Sequence, residues 1–308
     1  MHQPVRTQQA SRRWVPEGAL DLGLTLGPLG RGPGDPAFRM LGDGTVWRAS
    51  RTPVGPGTVR IAMRGSEVEA DAWGPGGEWL LDRLPEMLGS QDDPAEFTPR
   101  HRLVHEVNRR TPGLRLGRTG LVLESLIPSI LEQRVTSDEA YRAWRLLLQR
   151  HGEPAPGPTP GLRVMPDPGT WALIPSWEWH RAGVDGKRSA AILRAVRAAR
   201  RMEEAALMPP VQAAARLQAI PGIGVWTAAE TLQRTHGAPD AITVGDLHLP
   251  NVIGYALTGA HRTDDETMLE LLAPYSGQRH RAARLILLAG RRPPRRAPRF
   301  SPNDIRVI

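Results

Sequence analysis

Pro221, Gly222 and Gly224 stand together between two stretches whose apolar residues recur with helical spacing. The proline fixes φ at the exit of the first stretch, and the glycines permit backbone conformations that other residues rarely adopt. This pattern predicts two helices joined by a tight turn that leaves backbone N–H groups bare. Bare N–H groups at the start of a helix can bind one phosphate oxygen, although a plain helical corner would use the same glycines for geometry alone.

The hydrophobic pattern divides the chain into three parts. Residues 1–98 are rich in Gly and Pro and alternate apolar with polar residues, which predicts a small β-rich domain with one helix over 79–88. Residues 99–290 show apolar spacing near 3.6, which is typical of a helical domain. Residues 291–308 are basic and proline-rich, and they would form either a solvated tail or a segment that contacts backbone phosphates.

The composition limits the chemistry that the chain can carry out. None of its 308 residues is cysteine, which excludes disulfides, thiolate zinc sites, iron–sulfur clusters and a cysteine nucleophile. No apolar run reaches the length of about 18 residues that a membrane span needs, and the polar N-terminal segment does not resemble a signal peptide. We therefore expect a cytoplasmic protein. Its net charge of +8 favours an anionic partner such as nucleic acid.

A lone acid, Asp246, follows the turn in the segment TVGDLHLPN. An aspartate before a stretch with helical spacing is a good N-cap, and this is its ordinary explanation. The complete order, with the segment LQAIPGIGVWTA before the acid, resembles the helix–hairpin–helix DNA glycosylase superfamily. The resemblance covers about residues 20–290, and the β-rich first part is similar to the N-terminal domain of the 3-methyladenine DNA glycosylase II family.

This resemblance implies an α+β fold in which a mainly helical glycosylase core follows a small β-rich N-terminal domain. It also implies that the hairpin grips the backbone of double-stranded DNA containing a damaged base, without reading the sequence. Asp246 would lie at the mouth of the base pocket and face the sugar of an extruded nucleotide. The residues that the resemblance assigns to the DNA-binding hairpin are Pro221, Gly222, Ile223, Gly224 and Thr227.

The implied reaction is hydrolysis of the N-glycosidic bond of an alkylated purine such as 3-methyladenine. A carboxylate beside C1′ stabilises the positive charge that develops on the sugar, and it can orient or deprotonate the attacking water. Relatives that also cut the strand carry a lysine nucleophile where this chain has Trp226, and its single lysine is Lys187. We therefore expect a monofunctional glycosylase of base excision repair, a monomer without a cofactor and without lyase activity.

Four residues occupy positions that line the base pocket in the family: Trp226, Glu230, Leu247 and Gln278. A tryptophan face suits an electron-poor purine through stacking and cation–π attraction, although an ordinary core tryptophan would fit equally. Glu230 and Leu247 stand where the alkyl-base enzymes have tyrosine, and Gln278 matches a tryptophan. Such a polar pocket could prefer a base with a particular hydrogen-bond pattern, whereas Glu230 could simply face solvent. His280 is expected at the surface, with contact to the DNA backbone near the pocket as the alternative.

The residue that fills the gap left by the flipped base falls near Gln133 and Arg134 in the segment LEQRVT. The family uses an apolar wedge there. An arginine plane can fill the same gap, and a surface arginine at a helix end is the alternative. We expect no site for a metal ion with histidine or carboxylate ligands. The resemblance leaves room for a structural alkali-metal ion against the hairpin carbonyls.

Two other functions fit parts of the pattern. A glycosylase of the same fold could act on another purine lesion, such as a deaminated or bulky base, and Glu230 and Leu247 favour this reading. A non-catalytic DNA-binding protein could use the hairpin alone, with Asp246 only as a helix cap. The acid, the pocket and the β-rich first domain together favour the enzyme, because plain binding modules lack them.

Overall fold

The computed structural model describes residues 9–159 and 161–294, and the N-terminal part of the chain is built on an antiparallel sheet. Its five strands lie in the order β1–β5–β4–β3–β2. Along β5, the buried residues Val68, Ala70 and Ala72 alternate with half-buried acidic residues, as the sequence pattern predicted. The strands are β1 Gln9–Trp14, β2 Phe38–Met40, β3 Val46–Thr52, β4 Gly55–Arg64 and β5 Glu67–Trp73.

Two short helices, α2 (Gly77–Asp82) and α3 (Leu84–Met87), cover the buried face of this sheet. The prediction of a single helix over 79–88 is therefore wrong. Pro85 lies in the first turn of α3, and its ring nitrogen carries no hydrogen with which to continue the helix from α2. The apolar spacing survives the break, because the leucines of both helices remain buried against the sheet.

The following part of the chain is mainly helical, which gives the α+β fold that the sequence predicted. A small hairpin interrupts it, in which β6 (Glu153–Pro154) pairs with β7 (Arg163–Val164). The remaining helices are α1 Leu22–Leu26, α4 Arg102–Arg110, α5 Val122–Leu131, α6 Ser137–His151, α7 Pro168–Leu173, α8 Ser176–Arg181, α9 Gly186–Arg197, α10 Ala199–Glu203, α11 Pro210–Gln218, α12 Val225–Thr235, α13 Leu249–Thr258, α14 Asp265–Leu272 and α15 Arg279–Leu288. Short 3-10 helices lie at Gly27–Leu29, Pro94–Glu96, Glu204–Leu207 and Ala273–Tyr275.

Two apolar cores hold the helices together. The larger surrounds α5, whose residues Leu126, Ile127 and Ile130 are fully buried, and it includes parts of α6, α9, α11 and α12. The smaller is built from α4, α13, α14 and α15. As a result, α12 and α15 belong to different cores.

The chain passes from the sheet to the helices through the 3-10 helix Pro94–Glu96. The domain boundary predicted at residue 98 falls in this connection and stays a prediction. Of the predicted tail, residues 291–294 have no regular structure, and 295–308 lie outside the described residues. Within the described ranges, no helix is long and apolar enough to cross a membrane.

A buried carboxylate, Glu124, joins the sheet to α5. Arg48 on β3 forms an ion pair with it. Ser50 Oγ donates a hydrogen bond of 3.0 Å to one carboxylate oxygen, and the backbone N–H of Arg51 donates one of 3.2 Å to the other. A second carboxylate, Glu203 of α10, accepts hydrogen bonds of 2.9 Å from the first two N–H groups of α5. The start of α5 is thus fixed to the sheet and to α10.

We expect the substitution Glu124→Gln to lower the free energy of unfolding by about 3 kcal/mol, because it leaves the charge of Arg48 buried without its partner. Chemical denaturation at neutral pH measures the change. The matched control is Glu106→Gln, since the pair between Arg102 and Glu106 is exposed and screened by solvent, so its loss should leave the free energy of unfolding nearly unchanged. Equal stability of the Glu124→Gln variant and the unchanged protein would show that the Arg48–Glu124 ion pair does not stabilise the contact between the sheet and α5.

Candidate DNA interface and active site

The predicted glycine turn joins α11 to α12. Gly222 has a φ of +98°, and a Cβ placed there would lie 2.9 Å from the Cβ of Ala191. Gly224 precedes α12 in an extended conformation, and no side chain caps the helix. Ile223 between them is buried and fixes the turn to the larger core. The first N–H groups of α12 therefore lie at the surface without a side-chain partner, where an anion can accept hydrogen bonds from them.

Two side chains from other helices fix the carbonyl side of the turn. Gln133, just after α5, donates from Nε2 to the carbonyl oxygen of Gly222 at 3.0 Å and to Thr227 Oγ1 at 2.8 Å. Arg194 of α9 donates to the carbonyl oxygen of Pro221 at 3.1 Å. Thr227 is buried, so it supports the hairpin from inside. Gln133 thereby braces the hairpin against the end of α5.

Arg134, the neighbour of Gln133, has a different environment. Its side chain is exposed. Its φ of 56° is the one positive value for a non-glycine residue in the described part of the chain. Such a conformation is uncommon for a side chain of this size and occurs where the surrounding structure holds it. The connection after α5 therefore directs Gln133 inward to the hairpin and leaves Arg134 at the surface.

The carboxylate of Asp246 is held from two sides. Its Oδ1 accepts hydrogen bonds of 2.8 Å from the backbone N–H groups of both His248 and Leu249, at the start of α13. Its Oδ2 accepts a hydrogen bond of 3.0 Å from the indole Nε1 of Trp226. Oδ1 of Asp246 thus caps the start of α13, which is the ordinary role of an aspartate before a helix. The other oxygen is held by the side chain that follows the glycine turn.

The loop that carries Asp246 is also fixed by α14. Gly245 has a φ of +85°, and its N–H donates a hydrogen bond of 3.0 Å to Oδ2 of Asp265. Trp226 lies two residues after Gly224 on α12. The hairpin and the carboxylate are therefore joined by a short chain of contacts, in which each member limits the movement of the next.

The remaining predicted pocket residues differ in exposure. Leu247 is 79% exposed beside Asp246, and Gln278 is half-buried with its Oε1 accepting from Arg281 at 3.0 Å. Glu230 forms an ion pair of 2.7 Å with Arg234, and both side chains are only 15% exposed. The alternative in which Glu230 faces solvent is therefore wrong. Whether these residues line a base pocket stays a prediction.

Glu230 belongs to a buried group of alternating charges, here named the arginine–glutamate cluster: Arg31, Glu132, Glu230 and Arg234. Arg31 pairs with Glu132 at 2.8 Å, next to the pair between Glu230 and Arg234. Burial lowers the pKa of Arg31, and the charge of Arg234 lowers it further. Burial also acts to lower the pKa of Arg234, but the carboxylates of Glu230 and Glu132 outweigh it and raise that pKa.

The expectation of a surface position for His280 is also wrong. The residue is 8% exposed on α15. Burial, followed by the charge of Arg284, lowers the pKa of its ring well below the usual value. Arg284 lies four residues after His280 on the same face of α15.

Comparisons with known proteins agree with this architecture. No protein-family model matches the chain, and no curated protein matches its sequence. In structure it is similar to the 3-methyladenine DNA glycosylase of Archaeoglobus fulgidus, with a TM-score of 0.73 and 18% identity over 91% of this chain and 98% of the other. It is similar to MBOgg1 in complex with a low-affinity DNA ligand, with a TM-score of 0.72 and 14% identity over 94% and 98% of the two chains.

A third similar structure is the apo form of the 8-oxoguanine glycosylase/lyase of Clostridium acetobutylicum. Its TM-score is 0.70, with 12% identity over 91% of this chain and 97% of the other. At such identities the likeness concerns the path of the chain rather than the side chains of a site. The chain therefore has the fold of these DNA glycosylases, as its helix–hairpin–helix pattern predicted.

Proposed function

We propose that this protein is a monofunctional DNA glycosylase of base excision repair that removes alkylated purines of the 3-methyladenine type. Its partner is double-stranded DNA containing a damaged base, and it acts as a monomer in the cytoplasm, at the nucleoid. The observation that carries the proposal is the hydrogen bond between Trp226 and the carboxylate of Asp246. Trp226 lies two residues after Gly224, the last residue of the glycine turn, so this bond joins the acid to the hairpin that would bind DNA. The shared fold with DNA glycosylases supports the proposal.

The reaction is a hydrolysis at C1′ of an extruded nucleotide. The bond from C1′ to the base nitrogen breaks, its electron pair leaves with the base, and positive charge develops on the sugar. The carboxylate of Asp246 stabilises this charge and accepts a proton from the attacking water. An alkylated purine is already cationic, so it leaves as a neutral base and needs no general acid.

Fixing the carboxylate contributes to the catalysis. The backbone N–H groups of α13 and the indole of Trp226 hold both oxygens of Asp246 before DNA binds. A charge that is already oriented does not have to reorganise when the sugar becomes cationic. In this arrangement Trp226 is a positioning residue as well as a candidate wall for the base.

The hairpin supplies the grip on the backbone. The N–H groups at the start of α12 donate hydrogen bonds to a phosphate oxygen. Gln133 holds the conformation of the turn through its hydrogen bond to the carbonyl oxygen of Gly222. Arg134 is then the candidate wedge, because it is exposed beside the hairpin whereas Gln133 is engaged. An alkali-metal ion against the turn also belongs to the proposal. The carbonyls of Pro221 and Gly222 each accept one side-chain hydrogen bond, and the second lone pair of each oxygen would be the ligand for the ion.

One observation favours a second candidate, a glycosylase for a different purine lesion. The position where the alkyl-base enzymes carry an aromatic residue holds Glu230, and its carboxylate is paired inside the arginine–glutamate cluster. A charged wall offers hydrogen bonds instead of a stacking face, so it would select the base by its donors and acceptors.

We expect the substitution Asp246→Asn to reduce the release of 3-methyladenine from methylated duplex DNA by at least about a hundredfold, because the cationic sugar loses its counter-charge. Chromatography of free bases measures the release, and the strands should remain intact until alkali is added. Asp264→Asn is the matched control, since Asp264 caps α14 and has no predicted catalytic part. If the Asp246→Asn variant released bases as fast as the unchanged protein, Asp246 would be a helix cap only.

We expect DNA affinity to fall steeply with salt and to depend little on sequence, because the hairpin contacts phosphate. Gly222→Ala should weaken binding about tenfold, since a Cβ at a φ of +98° meets Ala191 and displaces the turn. Fluorescence anisotropy over a salt series measures both effects. Gly186→Ala is the control, because a Cβ at Gly186 meets open space. Affinity that is independent of salt would contradict the phosphate grip.

A further inference from the structure

A second aspartate reaches the loop that carries the candidate catalytic acid. Asp265 lies in the first turn of α14, and its Oδ2 accepts a hydrogen bond of 3.0 Å from the backbone N–H of Gly245. Gly245 directly precedes Asp246, and it is 20 residues away from Asp265 along the chain. The backbone immediately before the acid is therefore held by a side chain from another helix.

The helix α14 does not need Asp265 as its cap. Asp264 is the N-cap, and its side chain accepts a hydrogen bond of 2.9 Å from the backbone N–H of Thr267. The other oxygen of Asp265, Oδ1, is buried, and no group in the described part of the chain donates a hydrogen bond to it. A buried oxygen without a donor costs free energy, so packing of the helix alone does not favour an aspartate there. The hydrogen bond from Gly245 is the interaction that accounts for it.

The conformation of Gly245 makes the loop depend on this contact. Its φ is +85°, which side chains rarely adopt, whereas a Cβ added there would meet open space. The bend of the chain, rather than a close neighbour, therefore requires the glycine. A glycine in open space has many conformations available to it, so the acceptor on Asp265 is needed to select this one.

The connection between α13 and α14 fixes the position of Asp265. The backbone N–H of Thr263 donates a hydrogen bond of 3.0 Å to Oδ1 of Asn251 on α13. Thr263 also packs closely against Gly254 of that helix, where an added Cβ would collide with its side chain. Asp246 caps the start of the same helix. The acid and Asp265 are thus attached to one pair of packed helices in the smaller core.

We infer that Asp265 is a positioning residue for the proposed reaction, because it orients the loop so that the carboxylate of Asp246 meets C1′ of the extruded nucleotide. The inference rests on the proposed glycosylase function and adds a residue that acts through Asp246 rather than on the DNA. Trp226 on α12 and Asp265 on α14 then hold the acid from two sides. A displacement of about 1 Å at a reacting centre slows a reaction strongly, so the second support also bears on the rate.

This role separates the rate of base release from the affinity for DNA. The turn that would bind phosphate is held by Gln133, just after α5, and by Arg194 of α9. These supports lie on other elements than Asp265. Loss of the Asp265 side chain therefore frees the loop of Asp246 and leaves the hairpin in place.

The test is the substitution Asp265→Ala, measured in two assays. Release of 3-methyladenine from methylated duplex DNA is followed with saturating protein in excess, and fluorescence anisotropy gives the affinity for the same duplex. We expect the rate constant of release to fall at least about tenfold, because the acid is no longer aligned, while the affinity stays unchanged. Asp265→Asn keeps an oxygen that accepts from Gly245, so its rate constant should stay within about threefold of that of the unchanged protein.

Glu266→Ala is the matched control. It removes the same charge from the same turn of α14 at an exposed position and should change neither quantity. Partial unfolding lowers the amount of active protein but not the rate constant at saturation, so it does not imitate the expected result.

An unchanged rate constant in Asp265→Ala, beside base release by the unchanged protein, would overturn the inference and leave the proposed function standing. A fall in DNA affinity that accounts for the slower release would also overturn it. If the unchanged protein released no base, the proposed function would fail, and the inference that rests on it would fail too.

Discussion

The structure depends on one carboxylate that is shared between two helices. Asp246 gives one oxygen to the backbone N–H groups that open α13 and the other to the indole of Trp226 on α12. Because α12 and α13 belong to different apolar cores, the same contact that fixes the acid also joins the cores. The turn ends at Gly224, two residues before Trp226, so under the proposed function a DNA contact at the turn would reach the acid through the first turn of α12.

The rest of the molecule keeps this arrangement rigid. All residues of α5 except Glu124 are buried, and Glu124 and Glu203 fix the start of this helix. Its end leads into Gln133, which braces the turn at Gly222. The sheet is thus linked to the hairpin through α5. Long-range positioning of this kind suits a site whose catalytic group must be in place before the substrate arrives.

The sequence predicted those parts of the site that depend on local patterns. The glycine turn and the helix after it follow from the local spacing of apolar residues and glycines, whereas Asp246 was singled out by the resemblance to glycosylases, and its role stays a prediction. Pro85 carried the signal for the break between α2 and α3, but the apolar periodicity concealed it. The environment of Glu230 was not predictable, because Arg31 and Glu132 come from segments far away along the chain. Burial of His280 likewise depends on how α15 packs against its neighbours in the smaller core, among them α4 from a distant part of the chain.

The central claim is that Asp246 faces a cationic sugar, and it can be tested without knowing the lesion. The measurement compares the affinity of the protein for two duplexes, one with a cationic pyrrolidine in place of the sugar and one with a neutral tetrahydrofuran. We predict that the cationic analogue binds at least about tenfold more tightly, and that Asp246→Asn abolishes the difference. Equal affinity for both duplexes in the unchanged protein would contradict the claim.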